Sequence, residues 1–136
     1  MFKKETQICV FLRNKPGGFA EVCDLLFARG VDIRAMNVTP GPDFGIMRMV
    51  VSEASKAVLA LEEQQIPFLE SEVLAAEVPN RPGVAAKLGR KLADGGINIE
   101  YTYFSSGDPG SPALMVFMVS DIERALATLG QSPLDE

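Results

Sequence analysis

The sequence predicts an α+β fold built twice from one chain, and three observations carry that reading. Asn14-Lys15-Pro16-Gly17 returns as Asn80-Arg81-Pro82-Gly83, 66 positions on. The same offset lays Gly30-Val31-Asp32-Ile33 on Gly96-Ile97-Asn98-Ile99. Around these landmarks the apolar spacing alternates between the helical and the extended period, in the same order in both halves. Further along the offset becomes 68, which aligns Ser52 with Ser120 and Ala57 with Ala125. A repeat this long is a small domain used twice, since solenoid units run to ~20–45 residues.

In the first copy, residues 6–12 read as a strand and 13–18 as a loop, with Pro16 and Gly17 as turn formers. Residues 19–29 form a helix, because Phe19, Val22, Cys23 and Leu26 recur at helical spacing while Glu21, Asp24 and Arg29 fall outside. Gly30 ends it as the residue that accepts a left-handed conformation. Residues 31–38 and 45–51 are strands joined by the Pro40-Gly41-Pro42-Asp43 turn. Ser52 is expected to cap a second helix with Ala54, Ala57, Val58 and Leu61 inward. Residues 66–70, broken by Pro67, read as a short edge strand.

The second copy follows the same order. Residues 72–78 are a strand, 79–83 the loop, and 84–94 a helix with Ala85, Leu88, Gly89 and Leu92 inward. Residues 97–103 alternate, which puts Ile97, Ile99, Tyr101 and Tyr103 on one face. A Gly/Pro/Ser turn at 105–112 holds the insertion that changes the offset, and 113–119 is a strand. Ser120-Asp121-Ile122-Glu123 reads as a capping box for a last helix with Ile122, Ala125, Leu126 and Leu129 inward. A closing strand is weakly written in the first copy and reduced to Ser132-Pro133-Leu134 in the second. The expectation is two ferredoxin-like βαββαβ domains in tandem, 1–70 and 71–136. Each is an antiparallel sheet with its helices on one face, and the two are expected side by side.

Composition narrows the function. Hydrophobic residues make up 47% of the 136, enough for a packed core. A net charge of −5 argues against nucleic acid and against an anionic membrane surface. No segment approaches a spanning helix and the charged start is unlike a signal peptide, so a cytoplasmic protein is expected. With no histidine, serine–histidine and cysteine–histidine pairs are excluded. Without a C-x-x-C pair either, no zinc site is expected. Cys9 and Cys23 read as buried small hydrophobes. Asp43-Phe44-Gly45 and Gly107-Asp108-Pro109-Gly110 lack the companions of a kinase or phosphate-loop motif and read as turns.

The repeated residues are the candidates for binding. A strand that ends in N-x-P-G and enters a helix leaves the first backbone N–H groups unpaired, with the positive end of the helix dipole beside them. Gly17 and Gly83 allow close approach, and Asn14 and Asn80 each offer an amide that donates and accepts. An Asx-turn bonded to its own main chain is the competing role. Asp32 and Asn98 open the second strand of each copy, opposite in direction to Ile33 and Ile99. There they meet either water or a partner. Together the two points offer backbone N–H for a carboxylate and side-chain oxygen for an ammonium, as a small zwitterion requires.

The order of elements, the N-x-P-G loop and the G-[VI]-[DN]-I strand start together resemble the ACT domain, a regulatory module that binds amino acids. The resemblance covers nearly the whole chain twice and is closest to free-standing tandem ACT proteins without a catalytic domain. It implies a non-catalytic sensor that takes up a free amino acid where such domains meet, needs no cofactor or metal, and forms a homodimer. It would modulate a metabolic enzyme or transporter of amino-acid metabolism. It also implies contacts from Asn14, Pro16, Gly17, Asp32 and Ile33 in copy one and from Asn80, Pro82, Gly83, Asn98 and Ile99 in copy two. Serine-sensing members carry a histidine two residues before the loop asparagine; here Leu12 and Val78 stand there. The alternative is a protein–protein interaction module that uses its sheet edges and has no small-molecule ligand.

Overall fold

A computed structural model of the chain describes residues 1–130. Its elements are β1 (Phe2–Arg13), α1 (Gly18–Ala28), β2 (Ile33–Thr39), β3 (Phe44–Val51) and α2 (Ala54–Glu63), then β4 (Phe68–Pro79), α3 (Val84–Asp94), β5 (Ile99–Ser106), β6 (Pro112–Val119) and α4 (Ile122–Gly130). They divide into two compact units, one of Thr6–Ser71 and one of Met1–Glu5 together with the residues from Glu72 on.

In the first unit β1, β3 and β2 lie side by side and antiparallel, with Ile8 opposite Met49 and Met36 opposite Met49 on the other flank. The start of β4 lies on the free side of β1, where the Phe11 N–H donates to the Pro67 carbonyl at 3.1 Å. Ile8, Val10, Leu12, Val22, Leu26, Met47, Met49, Ala57 and Leu61 bury one core between this sheet and its helices. Truncating such a fully buried leucine typically costs ~2–5 kcal/mol.

The second unit repeats the plan with β4, β6 and β5, Leu74 pairing with Phe117 and Phe104 with Met115. Its core gathers Leu74, Ala76, Val78, Leu88, Leu92, Met115, Phe117, Ala125 and Leu129. The fourth strand position, beside β4, is filled from the other end of the chain. Met1 N donates to the Glu77 carbonyl at 2.8 Å and the Glu77 N–H returns to Met1 at 2.9 Å. Phe2 packs on this core, and Lys4 bonds Glu123 of α4 at 3.1 Å and Glu72 at 3.3 Å. The expected closing strand at Ser132-Pro133-Leu134 lies outside the described residues. β4 likewise runs unbroken from Phe68 to Pro79, joining what the sequence presents as an edge strand and a new first strand.

Three sequence expectations are corrected. Pairing shifts register between Ile33 and Ala35 and again between Ile99 and Tyr101, a bulge repeated in both copies. It breaks the alternation, so Thr102 and Phe104 share the core-side face with Phe117 and Met115, while Tyr101 and Tyr103 turn to the other. Ser52 and Ser120 are not helix caps. Glu53 holds the N-cap of α2, and at α4 the Asp121 carboxylate receives the Arg124 N–H at 3.1 Å. Finally, Phe19 and Ala85 are exposed; Gly18 and Val84, one residue earlier, take the buried places.

Candidate functional site

Each copy carries a hollow at the loop between its first strand and first helix. The loop turns through a left-handed glycine at the helix N-cap, Gly17 at φ 94° and Gly83 at φ 89°. No side chain caps either helix. The first turn is closed by the Glu21 N–H to the Gly17 carbonyl at 2.9 Å and the Lys87 N–H to the Gly83 carbonyl at 3.0 Å, while the N–H groups that open the helices make only long bonds, Gly18 to Lys15 at 3.5 Å and Val84 to Arg81 at 3.4 Å. Helix N–H groups and the positive dipole end are therefore available to an anion.

The walls of the two hollows correspond position by position. In copy one they include Leu12, Arg13, Asn14, Lys15, Phe19, Val38 and Gly45. In copy two the equivalents are Val78, Pro79, Asn80, Arg81, Ala85, Phe104 and Ala113. Each hollow has one aromatic wall, from the helix in copy one and from the strand in copy two. The sizes differ widely. The first measures about 520 Å³, inside the ~300–1,000 Å³ common for small-molecule sites. The second measures about 90 Å³, well below that range.

The asparagines differ too. Asn14 is exposed, and its side chain makes no hydrogen bond among the described residues. Nor do the Arg13 and Lys15 side chains have an ion-pair partner among them, so two cations and no acid line this hollow. Asn80 is half-buried, and its amide nitrogen is engaged. Its Nδ2 donates to the carbonyls of Gly107 at 3.1 Å and Asp108 at 3.2 Å. Its main chain exchanges bonds with Ser111 at 3.0 Å and Gly110 at 3.1 Å. The longer β5–β6 turn thus folds onto the second loop.

Asp32 and Asn98 are exposed at the strand starts and held identically. The Asp32 N–H donates to Ser52 Oγ at 2.9 Å and the Ser52 N–H to the Asp32 carbonyl at 2.9 Å. Asn98 and Ser120 repeat both bonds at 3.0 Å. Ile33 and Ile99 pack on their cores, which leaves only their main chain for a ligand. Pro16 and Pro82 are exposed in the loops.

Within one unit these two points do not meet. Asn14 follows Arg13, which pairs with Phe44 at the start of β3; Asp32 precedes Ile33, which pairs with Val51 at its end. Seven strand steps of ~3.3 Å put them roughly 23 Å apart. The signal that singles out the open hollow, Val38 and Gly45 opposite Phe19, appears only once the register is known.

Little else has the marks of a reactive centre. Cys9 and Cys23 are both free thiols, and desolvation, then the Asp24 charge, pushes the Cys23 thiol up from its ordinary range. Among the described residues no cluster of acidic or cysteine side chains is arranged to hold a metal ion. No described helix is long and apolar enough to cross a membrane.

A family model described as an ACT domain pair matches residues 4–134. Protein BT0572 from Bacteroides thetaiotaomicron, of known crystal structure, is 30% identical with a TM-score of 0.85, over 96% of this chain and 89% of that one. The regulatory subunit of aspartate kinase from Thermus thermophilus, in its ligand-free form, is 22% identical with a TM-score of 0.66, over 96% and 95%. The corresponding subunit from Thermus flavus is 21% identical with a TM-score of 0.62, over 99% and 97%. At that identity the two kinase subunits share the fold. No protein of curated function matches the sequence.

Proposed function

This chain belongs to the ACT family as a tandem pair of such domains, and from that premise we propose that it is a non-catalytic sensor of a free amino acid. The observation that carries the reading is the open hollow of copy one. An uncapped helix start, the unpartnered Asn14 amide and the cations Arg13 and Lys15 converge there on a space of about 520 Å³. The helix N–H groups and cations suit the carboxylate, and Asn14 Oδ1 accepts from the ammonium. Phe19 and Val38 face the side chain. Pro16 and Gly17 shape the loop, and Pro82 and Gly83 do the same in copy two. Asp32 with Ile33 and Asn98 with Ile99 contribute from neighbouring ACT units in a homodimer, since they lie too far from the loop of their own unit. Occupancy biases one assembly state over another, and a partner enzyme or transporter of amino-acid metabolism reads the difference in the cytoplasm.

A thermal-shift screen of the common amino acids at millimolar concentration tests this. Ligand well above its Kd stabilises by RT ln(1 + [L]/Kd), ~2.7 kcal/mol at a hundredfold excess. At least one amino acid is expected to raise Tm by several degrees, and a flat response across the set rejects the proposal. The second reading, an interaction module, is favoured by exposed apolar side chains, Phe19 and Phe27 on α1 with Val38 on β2 and Phe104 on β5.

A further inference from the structure

A third hollow lies on the opposite flank of the first loop. The open hollow sits towards β2 and β3; this one sits between the end of β1, the start of α1 and the connection from α2 to β4, all within the first unit. It measures about 210 Å³. Gly18 lines it, where a Cβ would stand 3.1 Å from the Arg13 carbonyl; the second copy places Val84 at the equivalent position. Val22, Ile66 and Pro67 give an apolar wall. The polar lining is Arg13, Lys15, Glu21, Gln64 and Gln65, and none of these side chains has a hydrogen bond or ion pair among the described residues.

Gln65 is held in a conformation that the fold fills with glycine elsewhere. α1, α2 and α3 end in the same pair of bonds. The Gly30 and Val31 N–H groups reach Phe27 and Leu26, Gly96 and Ile97 reach Ala93 and Leu92, and Gln65 and Ile66 reach Glu62 and Leu61. That ending takes a left-handed residue. α1 and α3 supply glycine, at φ 70° and 72°. α2 supplies Gln65 at φ 55°, the one non-glycine residue with positive φ among the described residues. Glycine would avoid the crowding of a Cβ there. The glutamine side chain lines the hollow instead, with no bond among the described residues to offset the strain.

We propose that this hollow is a binding site for a small hydroxy monocarboxylate. Charge selects the class. Arg13 and Lys15 against Glu21 leave an excess of one positive charge in the lining. A ligand of single negative charge balances it. A neutral amino acid leaves that charge unmatched, and a dicarboxylate sets its second carboxylate against Glu21. The carboxylate pairs with Arg13 and Lys15. The hydroxyl donates to Glu21 and accepts from the amides of Gln64 and Gln65. A short carbon chain covers Val22, Ile66 and Pro67. The site is complete within one unit and does not rest on the sensor reading. Arg13 and Lys15 line both hollows of the first loop, so a carboxylate in one draws them from the other. Hydroxy acid and amino acid then lower each other's affinity by the same factor, a consequence that does rest on that reading.

Calorimetric titration of the full chain with 2-hydroxy acids of three to six carbons tests the site. At least one is expected to bind with a Kd of about 1 mM or below. Gln65→Gly should weaken it about tenfold or more while raising the Tm of the unliganded chain by about 1–3 °C. The same variant should leave titrations of the amino acid and the dicarboxylate of equal carbon number within about threefold of the parent. Gln64→Ala should weaken the hydroxy acid severalfold with Tm unchanged. No hydroxy-acid binding at about 10 mM, an amino acid that loses as much affinity in Gln65→Gly, or a Gln65→Gly chain that binds as the parent does or melts lower, overturns the proposal. Hydroxy-acid binding that Gln65→Gly removes, in a chain that no amino acid stabilises, supports this site and rejects the sensor reading. An amino-acid response without hydroxy-acid binding rejects this site alone.

Discussion

Asn14 and Asn80 hold the same place after the first strand of each copy, yet they spend their hydrogen bonds differently. Asn80 is tied to the carbonyls of Gly107 and Asp108, and its hollow has closed to about 90 Å³. Asn14 keeps its amide free beside a hollow of about 520 Å³. The cause is local. Two more residues separate the equivalent paired positions Ser105 and Leu114 than separate Thr39 and Ile46, and the longer β5–β6 connection bonds back to the loop through Gly107 and Asp108. Phe104 replaces Val38 and Ala113 replaces Gly45, which fills the remaining space. The backbone scaffold is alike in the two copies, while one loop borders an open hollow and the other is tied to the turn that follows β5.

That contrast is most sharply tested by ligand affinity. Asn14→Ala is expected to weaken binding of the responding amino acid about 10–100-fold, since a hydrogen bond to a charged group is worth ~1.5–3 kcal/mol. Asn80→Ala should change it less than about threefold. Calorimetric titration of both variants decides, and equal losses would erase the distinction.

The scaffold, by contrast, should respond alike in both copies. Gly17→Ala and Gly83→Ala each force a side chain into a left-handed backbone, at ~1–2 kcal/mol. An added Cβ meets nothing within 4 Å at either place, so the cost is conformational. Urea unfolding should give losses that agree within ~1 kcal/mol.

Stability should separate the asparagines in the opposite sense to affinity. Asn80→Ala is expected to cost ~1 kcal/mol through the lost turn contacts, and Asn14→Ala less than ~0.5 kcal/mol. Thermal melts without ligand check this.

The smallest effect belongs to an ion pair of the first copy alone. Arg29 grips Glu63 with bonds of 3.2 and 2.9 Å, whereas Gly95 stands at the equivalent of Arg29. Hydrogen bonding to Arg29, then its charge, holds the Glu63 carboxyl below its ordinary range. A lowered folded value means the stabilisation is present above the ordinary carboxyl range and is lost as pH falls through the folded value. Comparing Glu63→Gln with the parent chain should therefore show a slight loss at neutral pH that disappears in acid and in high salt.

Much of this scaffold was legible in the residues. α3 spans 84–94 as its stripe and flanking glycines require, and α1 is displaced by one residue. The loops were legible because N-x-P-G needs a left-handed glycine at a fixed place. The facing of Tyr101 and Tyr103 was not, because a bulge adds one residue without a residue type that marks it. Ser52 and Ser120 have the chemistry of caps, but the strand N–H groups of Asp32 and Asn98 compete for the same hydroxyls and win. The origin of the second unit's outer strand was hidden as well. Phe2–Glu5 carries no mark of which sheet it joins, and only the pairing of Met1 with Glu77 reveals it.

The most direct test of unequal copies is the stoichiometry of amino-acid binding. Titration of the responding amino acid into the chain should give about one site per chain, removed by Asn14→Ala and retained in Asn80→Ala. Two equivalent sites per chain, or no binding at millimolar amino acid, would contradict it.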